Sequence, residues 1–206
     1  MQADHPVFAK IFAPINRRWG TWRGLVRTVL AQLQLATGGL DDFKLRQPEG
    51  VRRVVFVCRG NICRSSFAHQ LATSYGLPAA SLGLKTKTGV RSPAAAVEAA
   101  ARAGVDMDLH RATDLKDFEV KPGDLFLVME PGQAIELRER LGGRQDVSIS
   151  LLGLWCPVSM PHLHDPFSLS GDYFDTVFMR IDQAVCALVR ELRRSAQVAK
   201  NEALAA

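Results

Sequence analysis

Apolar and polar positions along this chain change their period several times, and the changes outline its elements. Phe8, Ile11, Phe12, Ile15, Trp19 and Trp22 recur at steps of three and four, and Leu25, Val26, Val29, Leu30 and Leu33 continue a helical stripe. Pro14 and Gly20 are expected to punctuate that stripe, and Gly38-Gly39 to end its second helix. The residues from Asp41 to Gly50, with Pro48, read as a linker. An unbroken apolar run follows, Val54-Val55-Phe56-Val57, which suits a short strand covered on both faces of a parallel sheet. It stops at Cys58 and a small polar loop.

Beyond that loop the periods alternate. Ser65 to Tyr75 reads as a helix and Ala79 to Leu84 as a second strand end; Pro93 opens an alanine-rich helix that closes near Gly104. Asp124 to Glu130 is a third strand, Pro131 to about Leu141 a helix, and Val147 to Leu152 a fourth strand. A last helix from about Asp172 to Arg194 carries Phe174, Val177, Ile181, Val185 and Leu188 on one face. Strands alternating with helices give an α/β fold with a parallel sheet, and place a site at the carboxyl ends of the strands.

Composition changes this picture little, and charge changes it at one end. The chain has 206 residues, of which 47% are hydrophobic, enough for one ordinary domain and an extension. Residues 1–50 hold 7 Lys or Arg against 4 acids, which is +3 of the +5 total. No acid lies between His5 and Leu40. Two readings of residues 5–37 follow: the apolar stripe packs on the rest of the chain or on a second copy of it and leaves the arginines solvated, or a basic amphipathic helix lies on an anionic membrane surface or on a partner. No run approaches the length that crosses a bilayer, and no basic-aromatic module points to nucleic acid. Cys58, Cys63, Cys156 and Cys186 have neither zinc-site spacing nor disulfide-scaffold density, so a cytoplasmic protein, peripheral to a membrane on the second reading, is expected.

The chemistry is concentrated after the first strand, in Cys58-Arg59-Gly60-Asn61-Ile62-Cys63-Arg64-Ser65. Gly60 and Asn61 tolerate left-handed backbone, so the loop can curl until its N–H groups face one centre, to which the following helix adds its positive end. An anion is favoured there, whether a thiolate or a phosphoryl group. Arg64 offers a planar fork to phosphoryl oxygens, and Ser65 a hydroxyl to the sulfur. A bare Cys-x5-Arg is most often a buried cysteine beside a capping arginine; the whole string after a strand points to a nucleophile. Far along the chain, Asp165-Pro166-Phe167 follows the fourth strand. Asp165 is the candidate acid that protonates a leaving oxygen and then activates water against a phosphocysteine. His162 and His164 beside it suggest a metal only weakly, and they read as solvated loop histidines.

At these residues the sequence resembles the low-molecular-weight protein tyrosine phosphatase family. The likeness runs from about residue 51 to 194 and includes Val57 to Ser65, Ser81-x-Gly83, Gly104-Val105-Asp106 to His110, Met129-Glu130, Leu151-Leu152-Gly153 and Asp165-Pro166-Phe167. It implies a three-layer, four-stranded parallel sheet of flavodoxin-like topology over residues 51–206, preceded by a helical extension over 1–50. It also implies hydrolysis of phosphotyrosine by Cys58, Arg64 and Asp165 with no metal or cofactor, Ser81 and His110 helping Asn61 and Ser65 hold the loop's hydrogen bonds, and Phe167 as a wall for the substrate ring. Some positions depart from the family pattern: Ser66 and His69 follow the signature, and Arg59, Lys85, Lys87 and Arg91 make a basic rim that would draw an acidic phosphopeptide. A thiol-dependent arsenate reductase and a non-catalytic phosphate-binding or docking module are the alternatives. Cys63 is either a regulatory disulfide partner for Cys58 or a small buried hydrophobe.

Overall fold

The computed structural model describes residues 6–205, and side chains from 13 to 204; His5 and the side chains of Phe8, Lys10, Ile11 and Phe12 lie outside the described residues. Two helices, α1 (Pro6–Trp19) and α2 (Trp22–Ala36), precede β1 (Arg53–Cys58), α3 (Arg64–Ser74), β2 (Ala79–Gly83) and α4 (Ala94–Arg102). Then come β3 (Asp124–Val128), α5 (Pro131–Arg140), β4 (Ser148–Leu151) and the long α6 (Gly171–Ala205). All strand pairs are parallel, in the order β2-β1-β3-β4. β1 is therefore central, and its C-terminal end is the place where the strand order reverses, the usual position for a ligand in an open α/β sheet.

Alternation along β1 sorts the core into two layers. Val54, Phe56 and Cys58 point to the side of Phe67, Phe174 and Phe178, with the Phe67 and Phe178 rings stacked 4.1 Å apart. Val55 and Val57 point the other way, to Ala134 and Leu137 of α5 and to Leu40 and Phe43. The supposed linker is thus a packed segment with two short 3-10 turns: the first lies against β4, where Phe43 is buried and Ser150 Oγ donates to Phe43 O at 2.6 Å, and the second lies against α6. At the foot of the sheet Arg53 grips Asp124 with two bonds of 2.8 and 2.7 Å, which fixes the β1–β3 register.

The N-terminal helices depart from the expected pattern. Pro14 lies inside α1, and Gly20, at φ +77°, makes the break between the helices. The face of α2 that packs inward consists of the small residues Gly24, Thr28 and Ala31, while Trp22, Val26, Val29, Leu30 and Leu33 are roughly half exposed. The apolar stripe therefore faces outward. Small residues win the inner face because α2 approaches the segment after β4 closely: a Cβ on Gly24 would stand 2.1 Å from Trp19 O and 2.8 Å from the His164 ring. Gln32 Nε2 also donates to Ser159 O, and Thr21 caps α2 by accepting from Gly24 N–H at 2.9 Å.

This close approach makes Gly24 a sensitive position. Gly24→Val should cost about 1–3 kcal/mol of stability through overpacking, read as a lowered thermal midpoint, whereas Leu33→Ser on the outer face should leave the midpoint almost unchanged.

Candidate active site

The site is assembled from the end of β1, the start of α3, the end of β3 and the segment after β4. Cys58 is the last residue of β1, and its Sγ lies 3.0 Å from Ser65 Oγ and accepts Asn61 N–H at 3.2 Å. Asn61 takes the left-handed conformation (φ +52°); Gly60, expected to share it, does not. Asn61 holds this turn with three groups: its Nδ2 donates to Ser65 Oγ at 2.9 Å, its Oδ1 accepts Thr113 N–H at 2.9 Å, and its carbonyl lies 2.8 Å from His110 Nε2. Ser81 is placed differently from the expectation. Its Oγ pairs with His69 Nδ1 of α3 at 3.2 Å and makes no hydrogen bond to the loop among the described residues.

Arg64 begins α3 and is 1% exposed. A buried guanidinium needs compensation, and it has three partners: Glu130, Leu163 O at 2.8 Å, and Asp165 Oδ2 at 2.7 Å. Burial works against its charge, but Asp165 and Glu130 outweigh burial and hold its pKa above the ordinary arginine value. Glu130 is affected conversely: burial pushes its carboxyl up, the Arg64 charge pulls it down, and the net shift is downward. Arg64 Nε is buried with no hydrogen-bond partner, and only Ser92 Oγ shares that state among the described residues. Asp165 Oδ1 accepts Phe167 N–H at 3.2 Å, and Phe167 itself is 53% exposed at the mouth. Lys85 N–H donates to Arg59 O at 2.8 Å, so these two rim residues stand side by side; Arg59, Lys85, Lys87 and Arg91 are all exposed.

His162 and His164 are not solvated. His162 is buried, 4.0 Å from Glu130 Oε2 and 3.4 Å from His164 Nδ1; His164 Nε2 in turn lies 3.3 Å from Thr21 Oγ1. A polar chain therefore runs from the cap of α2 through two imidazoles to the carboxylate that holds Arg64. No group of three His, Cys, Asp or Glu suited to a metal occurs among the described residues. Cys63 is a free, buried thiol that packs as a small apolar residue; burial pushes its pKa well above the usual thiol value. The sequence reading missed Glu130 as a partner of Arg64 and missed both histidines. A carboxylate directly after a strand at the sheet's binding edge was the available signal.

A thiol caged among donors suits an anion, and an acid at the mouth suits a leaving group that must be protonated as it departs. Together they define the class, a cysteine-dependent phosphatase. Residues 53–198 match the model of the family described as low molecular weight phosphotyrosine protein phosphatase, and the chain belongs to that family. It is 30% identical over 145 residues to the probable low molecular weight protein-tyrosine-phosphatase EpsP of Ralstonia nicotianae, covering 69% of this chain and 97% of the relative. AmsI of Erwinia amylovora, also named a probable low molecular weight protein-tyrosine-phosphatase, is 31% identical over 147 residues, 70% of this chain and 99% of AmsI. The crystal structure of Erwinia amylovora AmsI superposes with a TM-score of 0.58 at 28% identity over 68% of this chain and 93% of that one. The YwlE arginine phosphatase of Geobacillus stearothermophilus shares the fold, with a TM-score of 0.61 at 22% identity over 69% of this chain and 94% of that one.

Two imidazoles, the buried His162 of this polar chain and the part-buried His69 of α3, have a consequence for acid stability. Burial pushes His162 and His69 down to about 4 from an ordinary 6.5, so between those values the unfolded chain binds protons that the folded chain refuses. Stability contributed by these two neutral histidines is complete above pH 6.5 and is lost as pH falls toward 4. Denaturant midpoints should decline across that window, and His69→Gln should flatten the decline; an unchanged slope would contradict buried neutral imidazoles.

Proposed function

We propose that the protein hydrolyses phosphotyrosine in protein substrates through a phosphocysteine on Cys58. Arg64 Nε carries this reading: a buried donor with nothing to bind inside the protein, beside the caged sulfur, is suited to a phosphoryl oxygen. Loop residues Arg59 to Cys63 and Ser65 frame the phosphate, which displaces Asp165 from Arg64. The Cys58 sulfur attacks phosphorus and the aryl oxygen leaves with the Asp165 proton. Asp165 then takes a proton from the water that attacks phosphorus, and the S–P bond breaks to return the Cys58 thiolate and release phosphate. Ser65 and Asn61 hold the sulfur, and His110 braces the Asn61 carbonyl. Phe167 gives the substrate ring its apolar wall. Arg59, Lys85, Lys87 and Arg91 attract acidic residues flanking the phosphotyrosine. Neither arsenate reduction nor passive binding has comparable support: Cys156 is buried, with its Sγ turned to Arg180 O at 3.6 Å, and a binder needs no acid.

In this reading residues 51–206 are the catalytic unit and residues 1–50 an appended unit. The outward stripe of α2, with Arg23 and Arg27 among Trp22, Val26, Leu30 and Leu33, is its docking surface, for a partner protein or an anionic membrane. No helix among the described residues is long and apolar enough to cross a membrane.

Two measurements test these roles. With a series of aryl phosphates, Cys58→Ser should abolish turnover and keep phosphate binding, and Asp165→Asn should lower kcat by about 10²–10⁴-fold for poor leaving groups and much less for good ones; a loss independent of the leaving group would remove Asp165 as the acid. In flotation with anionic vesicles at moderate salt, wild type floating and Leu30→Ser/Leu33→Ser sinking would assign the stripe to a membrane. Wild type remaining at the bottom would assign it to a protein partner.

A further inference from the structure

Away from the catalytic loop, α1, the segment after β4 and α6 enclose a cleft of about 860 Å³, the size of a small-molecule site. Arg180 lines it and is only 9% exposed. Its guanidinium lies 5.2 Å from the centre of the Trp19 ring, and that of Arg18 lies 5.3 Å from the same ring. No carboxylate among the described residues pairs with Arg180. Asp175, on the same helix, is turned to Arg102 at 2.6 Å, and Asp172, the one acid lining the cleft among the described residues, forms no ion pair with any of them. The charges that act on Arg180 are those of Tyr173, Cys156 and Arg18, and burial, the largest influence, works against its charge. Its guanidinium has no hydrogen-bond or ion-pair partner among the described residues and is not sealed from the cleft, so an anion entering there can meet it.

The rest of the lining limits what that anion can be. Arg17 and Arg18 are exposed at the rim, while Met160, Val158 and Met179 form an apolar wall, the last two 76% and 53% exposed. A bare inorganic ion would leave that wall wet. We propose that this cleft is an accessory site for an amphipathic phosphate anion, with its head between Arg180 and the Arg17-Arg18 pair and its alkyl or acyl body along Met160 and Met179. Planar guanidinium forks suit a phosphate head, and the lone Asp172 favours a singly charged head over a doubly charged one. The cleft is built jointly by the appended helix α1 and the segment that leads to Asp165, so it exists only in a chain that carries the extension.

The test uses the full chain with the catalytic loop filled by orthovanadate, so that phosphate binding at Cys58 contributes nothing. Calorimetric titration with dihexanoylphosphatidylglycerol below its micellar concentration should show binding, and the zwitterionic dihexanoylphosphatidylcholine should bind at least about tenfold more weakly. Arg180→Gln should weaken phosphatidylglycerol binding by about tenfold or more. Arg17→Gln/Arg18→Gln, at exposed positions, should weaken it likewise with an unchanged thermal midpoint, which separates lost recognition from lost folding. Cosedimentation with phosphatidylglycerol vesicles that Arg180→Gln removes would identify a bilayer lipid as the source; monomer binding without cosedimentation would identify a soluble amphiphile. Equal affinity for the two headgroups, no binding of either, or binding that both sets of substitutions leave intact would overturn the proposal.

Discussion

One buried charge organises the catalytic end of this molecule. Arg64 is withdrawn from water at the start of α3, and a guanidinium in that position is tolerable only if carboxylates and carbonyls surround it. Glu130 from the end of β3 and the Leu163 carbonyl from the segment after β4 satisfy one edge, and Asp165 takes the other. Removing one partner from such a buried cluster typically costs about 3–5 kcal/mol. The same bonds that hold the sheet's binding edge together therefore also aim Nε and set the distance to the acid. Stability and function share these atoms.

The appended helices join this arrangement through small residues and imidazoles. α2 lies against His164 because Gly24 has no side chain, and Thr21 at its cap stands within reach of the His164 ring. His162 relays that contact to Glu130, while Tyr173 at the start of α6 donates to the His164 carbonyl at 3.3 Å. The segment carrying Asp165 is thus clamped from both sides, by α2 and by α6. An extension read from sequence as a basic stripe proves to be part of the wall behind the Asp165 segment.

Much of this was legible in the sequence, for reasons that differ from residue to residue. β1 and its loop announced themselves because an all-apolar run ending in Cys58-Arg59-Gly60-Asn61 admits few other conformations. Asp165 stood out by its place after the last strand. The residues that escaped were those whose role depends on tertiary contact: Glu130 looked like a strand end, and His162 and His164 looked like ordinary loop histidines until burial against Glu130 and α2 was seen. The stripe of α2 left packing and docking both open because periodicity identifies an apolar face and not its partner. The inner face carries Gly24, Thr28 and Ala31, and at Gly24 the close approach of Trp19 O and the His164 ring leaves no room for a side chain. Ser81, expected to help Asn61 and Ser65 hold the loop, instead pairs with His69 on α3, a contact that a single sequence does not show.

In the proposed mechanism Arg64 stays bound to Glu130 and Leu163 and exchanges Asp165 for the phosphoryl group. A crystal structure of the orthovanadate complex tests it most directly. The expected result keeps the Arg64 bonds to Glu130 and the Leu163 carbonyl, turns Nε and Nη2 onto equatorial vanadate oxygens, and moves Asp165 to the apical oxygen opposite the Cys58 sulfur. An Arg64 still paired with Asp165, and out of reach of vanadate bound at Cys58, would contradict it.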